Sequence, residues 1–301
     1  MHVGITGASG FVGAALGEEC RRRGWTVTAF SRREGAAVPG AEETRPLAGD
    51  GPVDLGGLDA LVNLAGEPIA ALWTRRRKEL IRTSRVGLAT RLVESMEQLP
   101  EEERPRVFVS ASATGYYGDR GDESLDEHSD PGFGFLAAVC RDWEAAAAPA
   151  AELGVRVVAP RIGLVLGRGG LLGRVRPLFR LGLGGPLATG RQWMPWIHLA
   201  DLAAILAECV GNEAVRGPVN AVAPHPVRNR DFTAAYARVL RRPALLPAPG
   251  PVLRRLPGGM GELFLASQRA EPLVMAAFGH TWRHPELEPA LQAIEQELPP
   301  R

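Results

Sequence analysis

The chain has 301 residues, and its 35 Lys and Arg residues nearly balance its 34 Asp and Glu residues, which leaves a formal net charge of +1. This balance gives no reason to expect a nucleic acid or an acidic membrane surface as a partner, so we expect a small-molecule ligand. The start of the chain carries no basic leader, and no run of about 18 apolar residues occurs, which predicts neither export nor a membrane span.

The first predicted element is a strand that runs into a glycine turn and then a helix. HVGIT, residues 2–6, has the pattern of a short buried strand, and apolar residues then recur with helical spacing up to Gly24. The turn has the spacing Gly-x-x-Gly-x-x-Gly, which brings backbone N–H groups and a helix N-terminus close to a pyrophosphate. A tight turn without a ligand is the alternative. We predict that a dinucleotide contacts Gly7, Ala8, Ser9, Gly10, Phe11, Val12 and Gly13.

The second predicted strand, WTVTAF at residues 25–30, ends in Ser31, Arg32 and Arg33. An NAD site would place an acid here against the ribose 2′-hydroxyl, whereas two guanidinium groups and a hydroxyl suit a 2′-phosphate. The sequence therefore predicts NADP(H), with a solvated basic turn as the alternative.

Strands and helices then alternate. A strand within residues 58–69 runs into another glycine turn, and one long helix follows from Trp73 to near Gln98. Further strands are expected at 106–114 and 155–167. This alternation predicts an α/β fold with a doubly wound parallel sheet, in which ligands gather at the carboxyl ends of the strands.

The amino-acid composition of the sequence changes after Gly167. Residues 168–213 and 225–301 are rich in Gly, Arg and Pro, and they are predicted to form a smaller substrate lobe. Residues 1–167 are predicted to form the dinucleotide-binding domain, which a strand near 214–224 completes.

Several motifs resemble the extended short-chain dehydrogenase/reductase superfamily. Gly7-x-x-Gly10-x-x-Gly13 is similar to its cofactor turn, and Asn63-Leu-Ala-Gly66 and the SASAT segment at 110–114 are similar to its central motif and active-site strand end. More narrowly, LVNLAGEPIA, SASATGYYGD, CRDWEAAA and HPELEPAL resemble the YfcH-like, epimerase-related family. The resemblance implies a Rossmann-type domain, NADP(H) binding, a sugar-nucleotide-epimerase label and further cofactor contacts at Leu64, Ala65 and Gly66.

The superfamily's Tyr-x-x-x-Lys pair is missing from the helix expected at 134–147. The resemblance places the tyrosine near Leu136 and the lysine near Cys140. We expect this helix to pack beside the nicotinamide end without donating a proton, since a thiol among Ala and Val is inert. Glu144 is interpreted as a structural acid of the helix.

Three other side chains are then candidates for catalysis: Ser112, Tyr116 and Tyr117. A capping role for the serine and aromatic packing for the tyrosines are the alternatives. We predict Arg161 at the cofactor, and Arg161 or Arg120 is expected to lower a phenol pKa through its charge. Two hypotheses stay open: an oxidoreductase or epimerase-like enzyme with an atypical proton donor, and an NADP(H)-binding sensor or partner-binding module without chemistry.

Three further features are ambiguous. Trp193, Trp196 and His198 could line a substrate wall or belong to the core. His280 and His284 have the i, i+4 spacing of metal ligands but lack a third ligand, so no metal site is predicted. Cys20, Cys140 and Cys209 are far apart and indicate buried free thiols in a reducing compartment, which predicts a cytoplasmic location. The oligomeric state is not fixed by the sequence, and a homo-oligomer is compatible with it.

Overall fold

A parallel sheet forms the centre of the computed structural model, which describes residues 1–33, 37–49 and 51–297. The strands of the sheet are β1 His2–Thr6, β2 Thr26–Ser31, β3 Glu43–Pro46, β4 Ala60–Asn63, β5 Val107–Ser110, β6 Ser112–Ala113, β8 Arg156–Ile162 and β12 Gly217–Ala221. Their order is β12-β8-β5-β4-β1-β2-β3, with β6 also paired to β8. Every pair in this sheet is parallel.

The order of the strands reverses beside β1. The chain runs outward from β1 to β2 and β3, and it returns to β4 on the other side of β1 before continuing to β5, β8 and β12. The doubly wound parallel sheet is therefore confirmed, with its switch point between β1 and β4. In such sheets the crevice at the switch point, beyond the carboxyl ends of the strands, is where a dinucleotide binds.

Helices cover both faces of the sheet. They are α1 Phe11–Arg22, α2 Arg75–Thr83, α3 Val86–Glu97, α4 Phe135–Ala147, α5 Gly170–Arg180, α6 Leu199–Gly211, α7 Asn229–Leu240, α8 Gly250–Arg254, α9 Glu262–Leu265, α10 Leu273–Ala277 and α11 Leu287–Glu297. On one face, α1 and α6 bury Leu16, Leu202 and Ile205 against the strands. On the other, α3 and α4 pack together, and Leu92 and Met96 of α3 are buried there.

The remaining strands form three small two-stranded sheets: β9 Leu164–Leu166 with β11 Trp196–His198, β10 Trp193–Met194 with β13 Val227–Arg228, and β7 Ser124–Leu125 with β14 Arg269–Ala270. A separate apolar cluster joins α5, α7 and α11 through Phe179, Tyr236 and Leu291. Helix α6 lies inside the range 168–213 predicted for the lobe, yet it packs on α1 and the main sheet. Residues 298–301 of the predicted lobe lie outside the described residues.

The long helix predicted from Trp73 to Gln98 is wrong, because the structure divides it into α2 and α3. At the break, the Ser84 hydroxyl accepts a hydrogen bond from the Glu67 backbone N–H at 3.0 Å. The Arg85 guanidinium donates to the carbonyl oxygens of Glu67 and Ile81 at 3.0 and 3.1 Å. Both residues thus bind the turn after β4, and tertiary contacts outweigh the local helical preference.

Candidate functional site

The first glycine turn joins β1 to α1 at the switch point. Gly7 has φ +71°, and the Gly10 N–H donates to the Gly7 carbonyl at 2.9 Å. A Cβ on Gly13 would lie 2.8 Å from the Ala8 Cα and would also overlap the Gly7 carbonyl. A Cβ on Gly7 would lie 3.0 Å from the Ala65 nitrogen. Glycine is therefore required by the backbone at both ends of the turn.

The helix start that follows is open to an anion. Helix α1 begins at Phe11, and its N-cap, Gly10, has no side chain with which to cap it. The N–H groups of the first turn, which includes Val12, are the groups that bind phosphate in such turns. The Phe11 ring packs against the segment 167–170, since a Cβ on Gly167 would lie 2.8 Å from the Phe11 Cζ. Ala8 is buried at this turn and Ser9 is exposed.

The end of β2 presents the predicted basic residues. The Ser31 hydroxyl accepts a hydrogen bond from the Arg33 N–H at 3.1 Å, and both arginine side chains are exposed. Sequence reasoning missed an acid here. Glu67, which follows β4, lies 3.6 Å from an Arg32 Nη atom and 3.1 Å from an Arg77 Nη atom.

The end of β4 closes the same crevice. The Thr6 hydroxyl donates to Asn63 Oδ1 at 2.7 Å and accepts from the N–H groups of Leu64 and Ala65, both at 3.2 Å. Asn63 Nδ2 is buried and has no hydrogen-bond partner among the described residues. Gly66 lies under the Arg85 guanidinium, whose Cζ would be 2.9 Å from a Cβ at that position. The glycine cradle and the orphaned amide fit a bound dinucleotide.

A buried network of polar side chains lies at the next strand ends. Ser112 is 2 % exposed, and its hydroxyl donates to Glu144 Oε1 at 2.6 Å. Arg161 donates to both carboxylate oxygens of Glu144, each at 2.9 Å. Ser112 and Arg161 are direct partners in the β6–β8 pair, so the sheet register itself sets them side by side.

This network gives Arg161 several partners within the protein, and its contact with the cofactor stays a prediction. Its guanidinium is buried, and besides Glu144 it donates to the Tyr117 hydroxyl at 3.1 Å and to the Glu127 carbonyl at 3.2 Å. These four acceptors hold the buried guanidinium in place. The alternative cation, Arg120, binds Glu123 and the Asp130 carbonyl in the loop.

The two tyrosines differ in their surroundings. Tyr117 is fully buried, and its hydroxyl lies 2.6 Å from Asn220 Oδ1 and 2.9 Å from the Asp126 carbonyl. Tyr116 is half-buried, with the Arg161 guanidinium 3.5 Å from its ring centroid.

The expectation that an arginine lowers the phenol pKa is wrong in its net effect. Burial raises the pKa of Tyr117 to about 12 and raises that of Tyr116 above its ordinary value. Arg161 acts in the opposite direction on both, but burial outweighs its charge.

Helix α4 lies where the sequence places it. A Cβ on Gly115 would lie 3.3 Å from the Leu136 Cβ and 3.7 Å from the Cys140 Sγ, so the positions of the missing pair do face the serine strand end. Burial raises the pKa of the Cys140 thiol to about 12, which leaves it unreactive near neutral pH. Sequence reasoning underrated Glu144, although it follows Leu136 and Cys140 at the same helical spacing of four.

The C-terminal region reaches this helix. Both carboxylate oxygens of Glu262 accept hydrogen bonds at 3.1 Å, one from the Phe135 N–H and the other from the Leu136 N–H. Glu262 also lines a cleft of about 710 Å³ whose walls carry Thr189, Gln192 and the arginines Arg191, Arg228 and Arg254. The cleft lies between the loop 119–122 and the predicted lobe, and Glu262 connects it to the start of α4.

The aromatic residues near residue 196 fall into two groups. Trp196 is a core residue, whereas Trp193 lies against Arg228 at 4.4 Å and donates to Asp122 at 2.9 Å. His198 is buried, stacks on His284 with 3.8 Å between centroids, and accepts a hydrogen bond from the Ala200 N–H. Within residues 1–33, 37–49 and 51–297, no three side chains of His, Cys, Asp or Glu cluster as metal ligands. None of the described helices has both the length and the apolar character needed to cross a bilayer.

Comparison with known proteins agrees with this geometry. Residues 3–220 match the model of the NAD dependent epimerase/dehydratase family, and residues 248–294 match a domain of unknown function, DUF1731. The epimerase family protein SDR39U1 homolog of Arabidopsis thaliana, described as chloroplastic, is 36 % identical over 98 % of this chain and 87 % of its own. YfhF of Bacillus subtilis is 33 % identical over 98 % of both chains.

Two solved structures are also similar. Human SDR39U1, solved with NADPH, superposes with a TM-score of 0.89 at 34 % identity and covers 99 % of this chain and 100 % of its own. A Corynebacterium glutamicum protein described as a nucleoside-diphosphate sugar epimerase gives a TM-score of 0.78 at 36 % identity, over 98 % of this chain and 58 % of its own. The chain has a doubly wound sheet with a glycine cradle at its switch point, and it matches the family model over most of its length. It therefore belongs to the NAD dependent epimerase/dehydratase family.

Proposed function

We propose that this chain is an NADP(H)-dependent oxidoreductase or epimerase-like enzyme of the atypical short-chain dehydrogenase type. The observation that carries the proposal is the cradle at the switch point, where a Cβ on Gly13 would overlap the backbone of the first turn. Membership of the epimerase/dehydratase family supports it, as does the NADPH held by the human relative. The buried Ser112–Glu144 contact at the strand end supports catalysis rather than binding alone.

The residues that would hold the dinucleotide come from three strand ends. The turn 7–13 would bind the pyrophosphate, residues 31–33 the 2′-phosphate, and residues 64–66 the part of the cofactor that lies over β4. When bound, the nicotinamide would supply or accept a hydride. The bound cofactor would offer a hydrogen-bond acceptor to the unpaired Nδ2 of Asn63.

We further propose a small, nucleotide-sugar-like substrate for the cleft beside α4. Arg191 and Arg254 can bind phosphate oxygens in this cleft, which also carries Asp119, Glu262 and the Arg228–Asp122 ion pair at 3.0 Å. The description of the Corynebacterium relative as a nucleoside-diphosphate sugar epimerase supports this class. In this division, the lobe supplies substrate contacts and residues 1–167 with β12 supply the cofactor site.

The free thiols and the net charge support a proposal for the cellular setting. Cys20, Cys140 and Cys209 are free and buried, which suits a reducing compartment such as the cytoplasm. The net charge of +1 supports partners other than nucleic acid or an anionic membrane. The assignment to the YfcH-like branch and a homo-oligomeric state stay predictions.

Calorimetric titration with NADPH and NADH tests the cofactor proposal. The wild type should bind NADPH more tightly, and the double change Arg32→Ala with Arg33→Ala should weaken NADPH binding about tenfold or more while leaving NADH unchanged. Arg106→Ala is the matched control, because Arg106 is an exposed arginine at the amino-terminal end of β5, remote from the crevice. Equal affinity of the wild type for both dinucleotides would overturn the 2′-phosphate site.

Turnover decides between enzyme and sensor. Epimerisation of UDP-glucose and UDP-N-acetylglucosamine is followed by chromatography of the sugar products, because an epimerase returns the hydride and leaves NADP⁺ unchanged overall. Net reduction of NADP⁺ is followed with the same sugars, and oxidation of NADPH with an aromatic 1,2-diketone as a general carbonyl probe. Tight NADPH binding without turnover of any probe would favour the sensor.

A further inference from the structure

We propose that Ser112, Glu144 and Arg161 form the proton-handling group of this site, in which Glu144 takes the proton of Ser112 while Ser112 takes one from a substrate hydroxyl. The inference rests on the proposed function, since it needs a substrate at the end of β6. It assigns to Glu144 the task for which the superfamily uses its missing Tyr-x-x-x-Lys pair.

The geometry of the group is that of a short proton path. The Ser112 hydroxyl already donates to Glu144 Oε1 at 2.6 Å, a length typical of an O–H to carboxylate bond. Arg161 binds the same carboxylate with two parallel N–H bonds of 2.9 Å. Three elements fix the group, because Ser112 lies in β6, Arg161 in β8 and Glu144 in α4.

The helix face explains why the acid reaches the serine. Residues four apart share one side of a helix, and Leu136, Cys140 and Glu144 follow one another at that spacing. Leu136 and Cys140 pack against Gly115, immediately beyond the serine strand end. Glu144, one turn further on, is therefore directed at Ser112. The carboxylate lies one turn beyond the expected lysine and acts on the same strand end.

The other proton donors of this region are less suited to the task. The Tyr117 phenol is fully buried with its hydroxyl held by Asn220 and Arg161, and the Cys140 thiol is enclosed. Tyr116 is half-buried, and the Arg161 guanidinium lies over its ring at 3.5 Å from the centroid. Glu144 combines a direct hydrogen bond to Ser112 with a side chain that is 17 % exposed.

The charge of the Glu144 carboxylate is balanced by Arg161. Arg161 keeps its proton throughout, so it balances the carboxylate without exchanging a proton itself. The groups that face the carboxylate from the elements packed on it are Ser112, Tyr116, Cys140 and Arg161. Glu127 contacts Arg161 through its backbone carbonyl at 3.2 Å. Arg161 is the one cation in this set, which makes the pair close to neutral while the carboxylate is ionised.

The proposed step balances in the direction of alcohol oxidation. The substrate O–H breaks and its proton joins Ser112 Oγ, while the former Ser112 proton moves to Glu144 Oε1. The C–H bond of the same carbon breaks with its electron pair, which becomes a hydride accepted by NADP⁺, and a C=O bond forms. In the reverse direction the proton returns by the same path. Glu144 is therefore the proton acceptor in oxidation and the proton donor in reduction.

The test uses the full-length chain with Glu144→Gln, Ser112→Ala, Tyr116→Phe and the control Glu94→Gln, an exposed acid of α3. Ser112→Ala leaves the Glu144–Arg161 pair in place, so it remains informative where Glu144→Gln folds poorly. Proton NMR of the protein without cofactor should show a downfield hydroxyl signal that Ser112→Ala and Glu144→Gln both lose. NADPH affinity, measured by fluorescence titration, should change less than about twofold in every variant.

Turnover of the probes named above completes the test. We expect Glu144→Gln and Ser112→Ala to lower kcat about a hundredfold or more with KM within about threefold, the usual effect of losing a proton-transfer group. The fall in oxidation rate at acidic pH should disappear in Glu144→Gln. A kcat within about threefold of the wild type and an unchanged pH profile in Glu144→Gln would overturn the inference, as would a hundredfold loss confined to Tyr116→Phe. Tight NADPH binding by a wild type that turns over no probe would overturn the proposed function, and the inference with it.

Discussion

Gly13 and Gly17 lie one turn apart on α1, and their substitution by alanine should have opposite effects. A methyl group at position 13 would lie 2.8 Å from both the Gly7 carbonyl carbon and the Ala8 Cα. Carbon atoms pack at about 3.5–4.0 Å, so the turn must move by roughly 1 Å to admit it. Overpacking of this kind costs about 1–3 kcal/mol. At position 17 no heavy atom lies within 4 Å, so alanine should stabilise the helix by about 0.5–1 kcal/mol.

Thermal unfolding and calorimetric titration with NADPH measure the two effects. For a chain somewhat larger than 250 residues, each kcal/mol moves the melting temperature by about 2–4 °C. Gly13→Ala should therefore melt roughly 2–12 °C below the wild type, and Gly17→Ala about 1–4 °C above it. Because the displaced turn is the predicted pyrophosphate site, Gly13→Ala should also lose at least about tenfold in NADPH affinity, while Gly17→Ala binds normally. A Gly13→Ala protein with wild-type stability and affinity would refute the described turn.

Other outcomes follow from buried groups. Burial, reinforced by His284, lowers the pKa of His198 to about 4. As the pH falls, the unfolded chain binds a proton at this histidine before the folded protein does. The free energy of unfolding should therefore fall between pH 6.5 and 4, by on the order of 3 kcal/mol. Urea titrations should show that this free energy depends less on pH in His198→Asn than in the wild type. Arg156 donates to three carbonyls around the end of α6, and Arg156→Met should cost about 1–3 kcal/mol in urea unfolding. Burial raises the pKa of each thiol to about 12, so a thiol reagent should label the native protein far more slowly than the urea-unfolded protein at Cys20, Cys140 and Cys209.

The cofactor crevice was accessible to sequence reasoning because its signals are local. Gly7, Gly10 and Gly13 lie within seven residues of the chain, and a Cβ on Gly10 or Gly13 would meet the backbone of Gly7 or Ala8 in the same turn. The alternation of strands and helices then predicts the doubly wound sheet without knowledge of any side-chain contact. The division of the long helix at Ser84 was not predictable in this way, because its cause is the backbone of Glu67 on another element.

The proton-handling group escaped the sequence for the same reason. Glu144 is 32 residues from Ser112 and 17 from Arg161, so their contact depends on the pairing of β6 with β8 and on the packing of α4. The i, i+4 series from Leu136 through Cys140 to Glu144 was visible and was the one available signal. A sequence does not reveal burial, and burial sets the phenol pKa of Tyr117 and brings the Arg161 guanidinium against Glu144.

The bond between Glu262 and the start of α4 makes the two matched segments of the chain mutually dependent. Residues 248–294 match a separate family model, which suggests an independent unit that could be deleted or exchanged between homologues. Its carboxylate nevertheless supplies the N-terminal cap that Gly134 cannot provide for α4. A truncated protein would fray at the very helix that carries Glu144. Chimaeras of this family should therefore be designed with α4 and the 248–294 segment taken from the same parent.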